Sequence, residues 1–276
     1  MLESQLVLIV TIFIISLAFS LLIAPVIISL LKKGFPGINY KKKEIPWGLG
    51  LIITVLSLFT APLFLIFNIT DPFPLLLKLF LLFGVALAGI VDDYMGDSNR
   101  GFKAHIVKLL KGRELTSGML KLITGGMLGI TLGLIVENNV FSIILNALIF
   151  ALSINTFNLL DVRPGRSLKL YIFLALLLFL WAENWLIFLL TPLLGAAVAL
   201  LYFDLKEVGM LGDTGSNMLG ASIGFSLVYI LDDLTKLLLI VLLVAVQWAG
   251  DKISFTKIIE KNRLLKTIDD LGRKKD

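Results

Sequence analysis

Nine predominantly apolar runs, most of them near twenty residues long, dominate this chain. They lie at roughly 5–31, 48–68, 75–93, 118–136, 140–158, 170–182, 185–203, 218–232 and 235–250. A run of about 20 apolar residues matches the hydrocarbon thickness of a bilayer. Backbone in lipid must satisfy its own hydrogen bonds, so each run is expected to be a helix. Composition agrees: 58% of the 276 residues are hydrophobic and only 16% are charged, whereas a soluble domain carries about a quarter charged residues. The expected fold is all-α, a polytopic transmembrane helical bundle of about nine spans.

The connectors fall into two sets. Asn68–Pro74, Glu137–Asn139, Ala182–Asn184 and Leu231–Thr235 contain no Lys or Arg. Lys32–Trp47, Tyr94–Thr116, the loop with Arg163, Arg166 and Lys169, Phe203–Asn217 and the tail from Asp251 are longer, and each contains Lys or Arg. The bias of Lys and Arg toward cytoplasmic loops makes the second set cytoplasmic. Nine spans then place the N-terminus outside and the C-terminus inside a cell membrane. Residues 1–250 form the transmembrane domain, and 251–276 form a basic cytoplasmic tail. In the tail, Phe255, Ile258, Ile259, Leu265 and Ile268 fall near one helical face, which predicts an amphipathic helix on the anionic inner leaflet. A solvated terminal helix is the other reading.

The net charge of +5 sits in these loops and does not point to nucleic acid. The chain has no cysteine and one histidine, His105. That excludes disulfides, thiolate sites and multi-histidine metal sites. A divalent metal would have to use carboxylates and other oxygens, which favours Mg²⁺ or Mn²⁺. Small-xxx-small spacings at Gly125–Gly133 and Gly220–Gly224 read either as a homodimer face or as packing within one subunit.

Polar residues gather at the cytoplasmic helix ends. Asp92 and Asp93 end the third run in "GIVDDYMGD". Paired acids at membrane depth are costly and mark a functional site by default. One can bind a metal while the other acts as a base. Alternatively they are an interfacial acid pair in water. Asn155, Asn158 and Asp161 follow at spacing i, i+3, i+6 and lie near one face if the fifth helix runs through them. "GMLGDTGSNMLG", residues Gly209–Gly220, places Asp213 between glycines at the start of a helix. Free N–H groups there suit a phosphate, with Gly212 and Ser216 as binding candidates and Asp213 holding its metal. Arg100, Lys103, His105, Lys108, Lys111 and Arg113 read as ordinary inside-positive residues. Lys121 lies inside the fourth run, where it can neutralise a bound phosphate or snorkel to the interface.

Acids, amides, a Gly-rich turn and a lysine at one membrane face equip a metal-assisted phosphoryl transfer. In order, "VDDY", "NTFNLLD" and "GDTGSNMLG" resemble the polyprenyl-phosphate N-acetylhexosamine-1-phosphate transferases. The resemblance covers about residues 1–250. It implies transfer of a sugar-1-phosphate from a UDP-N-acetylhexosamine-type donor to undecaprenyl phosphate, with Mg²⁺, releasing UMP, for cell-envelope glycans such as peptidoglycan or teichoic acid. It also implies Asp92, Asp93 and Asp161 as catalytic acids, Asp213 (with Asp92) as metal ligand, and Asn155, Asn158 and Lys121 as substrate-binding residues. The chain departs from the family pattern after Asp161. There it reads "VRPGR" where the family continues with Gly and a second acid, and it lacks the family's His-rich motif. Arg163 and Arg166 are therefore expected to hold the donor diphosphate in place of those histidines, or to select a donor bearing an extra acid. The alternative is a non-catalytic member that binds a polyprenyl-phosphate lipid or regulates a partner.

Overall fold

The sequence Gly212–Ile230 mixes glycine, serine and alanine with a few large side chains, so other helices can approach it from every side. The computed structural model, which describes residues 2–95, 117–252 and 255–273, places it at the centre of the bundle. The long helices, in chain order, are α1 (Leu2–Gly34), α2 (Gly50–Ile66), α3 (Pro72–Met95), α4 (Ser117–Val136), α5 (Val140–Leu160), α6 (Arg166–Leu178), α7 (Asn184–Leu205), α8 (Gly212–Ile230) and α9 (Asp233–Lys252). Two short helices follow, α10 (Phe255–Lys261) and α11 (Arg263–Asp270).

Each expected apolar run becomes one helix. Six of them, α1, α3, α4, α5, α7 and α9, are long and apolar enough to cross a membrane, and α2 is apolar but shorter. The chain is a multi-pass membrane protein. The largest difference in limits is at α8, which begins six residues before the expected 218, because its first turn is the polar Gly-rich motif itself. The basic residues from Arg100 to Arg113 lie outside the described residues.

α8 packs on α3, α5, α2 and α6, and almost all of its residues are buried. Close approach sets these crossings. A Cβ on Gly50 would lie 2.1 Å from the Gly215 nitrogen, and one on Gly89 would lie 2.6 Å from the Thr214 Cα. Helices α2 and α3 therefore meet the first turn of α8 backbone to backbone. The small-xxx-small faces both pack within the subunit. Gly129 and Gly133 of α4 meet the backbone at Ala147 and Ile143 of α5, and Gly220 and Gly224 of α8 meet it at Ile154 and Phe150. Helix α9 and one face of α1 remain on the outside of the bundle, presenting residues such as Leu238, Val241, Leu242, Leu22 and Leu30, as lipid-facing helices do.

The basic stretch before α2 is not a plain loop. Pro36–Ile38 (β1) pairs antiparallel with Glu44–Pro46 (β2). The backbone N–H of Met210 donates to Pro46, and Gly48 and Leu49 donate back to Met210. This tie fixes the hairpin to the segment leading into α8. The tail is helical as expected but is broken in two. Asn262 caps α11 by accepting from the Leu264 and Leu265 N–H groups, a standard asparagine N-cap.

Candidate active site

The first turn of a helix exposes N–H groups that need acceptors. In α8 the residue before the helix, Leu211, cannot supply one. Asp93, at the end of α3, supplies it from another helix. Its Oδ1 accepts from the Asp213 N–H at 2.8 Å, and its Oδ2 accepts from the Thr214 N–H at 3.0 Å and the Thr214 hydroxyl at 2.7 Å. A carboxylate at a helix N-terminus also meets the positive end of the helix dipole. Gly212 makes room for it. Its φ is +75°, and a Cβ there would lie 2.8 Å from the Asp93 Oδ2. The backbone donors expected to hold a phosphate are thus already taken at Asp213 and Thr214, and Gly212 serves to admit Asp93.

With Asp93 so engaged, Asp213 turns its own carboxylate outward. Lys121, in the second turn of α4, donates to Asp213 Oδ2 at 2.5 Å and stands 3.7 Å from Asp92 Oδ2. The side chains of Lys121, Asp92 and Asp213 are 11%, 21% and 25% exposed. At that depth charges act more strongly on one another than they do in water. The lysine therefore binds two of the three polar motifs together and does not merely snorkel.

The third motif joins through Asn158, whose Oδ1 accepts from the Ser216 hydroxyl at 3.3 Å. Ser216 is fully buried and also reaches the Asp213 carbonyl at 3.4 Å. Its contacts are with the site's own residues. Asn155 does not join them, since its amide donates to Gln247 of α9 at 2.5 Å. Gln247 in turn bonds Leu152 and Thr156 of α5. Helix α5 ends at Leu160, and Asp161 sits just past it with its N–H on the Asn158 carbonyl. Burial pushes the Asp161 carboxyl well above the usual carboxylate range, and the nearby Asp204, Asp213 and Asp93 push it further.

The two arginines part company. Arg163 lies over the Tyr40 ring, 4.2 Å from its centroid, a cation–π contact. It lines a cleft with Asn39, Tyr40, Asp161, Asp204 and Met210. Arg166 points away and is buried against the tail, with its Nε and Nη2 each 2.8 Å from Asp269. Of the two arginines expected at the donor, Arg163 lines a cleft and Arg166 is engaged by the tail. Tyr40, Asn39, Glu207 and Asp204 are the residues that the sequence reading missed. Glu207 accepts from Asn39 and Tyr40 and pairs with Lys41 at 3.0 Å, and Asp204 accepts from the Gly165 N–H. None carries a local signal: Asp204 ends an apolar run, and the others lie in loops joined only by the fold.

Among the described residues no three acids or histidines stand together as a ready-made ion site. Asp92 and Asp213 do converge on one cation, Lys121. Two carboxylates on one positive charge are a donor set that suits Mg²⁺, which commonly takes one or two carboxylates and fills its shell from substrate phosphates and water.

The sequence pattern of glycosyl transferase family 4 matches residues 75–231. The matched region is more than half of the chain. It runs from α3 through α8 and contains all the motifs described above. No curated protein sequence matches the chain.

Proposed function

Since this chain belongs to glycosyl transferase family 4, we propose that it transfers a sugar-1-phosphate from a UDP-amino-sugar to a polyprenyl phosphate. The observation that carries this reading is the Lys121 ammonium between Asp92 and Asp213. It draws the ends of α3, α4 and α8 into one charged site at the edge of an apolar bundle, where a lipid phosphate and a soluble nucleotide can meet.

In the reaction, an oxygen of the acceptor phosphate attacks the sugar-linked phosphorus of the donor. The bond from that phosphorus to the bridging oxygen breaks, and the oxygen leaves with UMP. In this reading Asp92 takes a proton from the acceptor phosphate or orients it. Lys121 opposes the negative charge that builds on the transferring phosphoryl group. Asp213 and Asp92 would hold Mg²⁺, which supplies further neutralisation of the donor diphosphate. Asn158 and Asp161 border the same site, and the cleft with Tyr40 and Arg163 offers an aromatic and a cation to the nucleotide.

Purified protein with Mg²⁺, undecaprenyl phosphate and a panel of UDP-sugars should release UMP with at least one donor. Asp213→Asn should abolish the release. No release with any donor, in protein that still binds the lipid, would leave the non-catalytic reading in its place.

A further inference from the structure

The stretch that most departs from the family pattern, Val162–Arg166, is also the stretch that the C-terminal tail holds. Arg166 opens α6 and gives Asp269 a two-pronged ion pair, and its Nη1 also donates to Thr256 at 3.0 Å. Arg273 donates to both oxygens of the same carboxylate, at 2.8 and 2.6 Å, and its Nε donates to the Pro164 carbonyl at 2.9 Å. Lys169 of α6 donates to the carbonyls of Ile268 and Asp269, where the last turn of α11 offers unpaired acceptors and the negative end of its dipole. From the opposite side, Asp204 of α7 takes the Gly165 N–H. The loop is thus gripped from both sides. Its first residue is Asp161, and its third, Arg163, lines the cleft.

An exposed ion pair would add little to this grip. Arg166 and Asp269 are only 7% and 8% exposed. Two guanidinium forks on one buried carboxylate fix direction as well as distance. Removing the carboxylate would leave two cations facing each other, a change far more disruptive than the loss of a surface pair. Leu264, Leu265 and Ile268 of α11, and Leu271 just past it, remain exposed, so this helix meets α6 and the loop through the polar contacts of Asp269, Arg273 and its last carbonyls.

We propose that the C-terminal helices α10 and α11 act as a strap that positions the catalytic-site loop, with Asp269, gripped by Arg166 and Arg273, as the positioning residue for Asp161 and Arg163. The proposal rests on the transferase reading for its effect on turnover. Its effect on the loop can be measured without that reading.

The chain has no cysteine, so Ser167→Cys, a near-isosteric change at a fully buried position beside Arg166, gives a single thiol that reacts only when this segment opens. Its rate of maleimide labelling reports how often the loop opens. In the Ser167→Cys background, Asp269→Asn and Arg273→Ala should each label faster by about tenfold, as local opening without global unfolding does. Asp269→Glu, which keeps the charge, should restore much of the slow rate. In the otherwise unaltered chain, Asp269→Asn should raise the donor KM and lower kcat, and the conservative Glu should recover both. An unchanged labelling rate in both the Asp269→Asn and the Arg273→Ala variants overturns the strap. Faster labelling with kcat and KM untouched overturns its positioning role. If the unaltered protein turns over no donor, the transferase reading fails, and the labelling rates still decide the strap.

Discussion

Asp93 and Asp213 are bound together by a bond between a side chain and a backbone: the carboxylate of Asp93 caps the helix that begins around Asp213. Two adjacent acids at the end of α3 therefore have different duties. Asp93 is spent on aiming α8, and Asp92 faces Lys121 with Asp213. Asp93→Ala would strand the Asp213 and Thr214 N–H groups without their acceptor. Hydrogen bonds to a charged group are worth about 2 kcal/mol each. The expected result is a lower melting temperature in detergent together with lost turnover. Asp93→Asn keeps one acceptor oxygen and should fall between wild type and Ala in both. Asp92→Ala should lose turnover with little change in melting temperature. Equal melting temperatures for the Asp92 and Asp93 alanine variants would contradict this division.

Lys121 is the second test. If it bridges Asp92 and Asp213 for chemistry, Lys121→Met should cost about 100-fold in turnover, the scale of one lost electrostatic contact to a transition state. Lys121→Arg should retain part of it. A lysine that only reaches for the interface would be replaced by Met without consequence for rate. UMP release at saturating donor and lipid measures the difference.

The Asp161 carboxyl gives a pH signature. Burial first, and Asp204, Asp213 and Asp93 after it, raise its pKa well above the ordinary 3.8. The folded chain then holds this proton more tightly than the unfolded chain does. The stability it contributes is whole below about 3.8 and is lost as pH rises through the higher folded value. Asp161→Asn removes the ionisation. The variant should therefore melt higher than wild type at alkaline pH, and the gap should close as pH falls toward 4. A gap that stays constant across that range would rule out the raised carboxyl as its cause.

What could be read from the sequence follows from range. Apolar runs announce helices because hydropathy is local, and each of the nine runs produced one. The residues of the site were legible as types: acids, amides and a lysine do not sit at helix ends in a membrane without cause. Their partners were not. Nothing near Asp93 in sequence says that it will cap a helix 120 residues away, and nothing near Arg166 says that it will find Asp269, 103 residues on. The hairpin Pro36–Pro46 was hidden as well, because its strands are short and its anchor, Met210, lies in a distant loop. Lys78 passed as part of an apolar run, although it is fully enclosed and gives its ammonium to the Leu189 carbonyl at 2.7 Å.

Arg163 and Arg166 provide the last prediction, since both were expected to hold the donor and the fold separates them. Arg163 stacks on Tyr40 in the cleft beside Asp161. Arg163→Ala should raise the donor KM about tenfold, the scale of a lost charge-assisted contact of roughly 1.4 kcal/mol, with kcat nearly unchanged. Tyr40→Ala removes the face on which that guanidinium rests and should act in the same direction. The two together should cost less than the sum of each, because they remove one shared contact. Arg166→Ala should instead lower kcat as well as raise KM, since its guanidinium reaches the tail and not the cleft. Donor titrations of the four variants separate these patterns. Identical kinetic signatures for Arg163→Ala and Arg166→Ala would mean that the two arginines share one role after all.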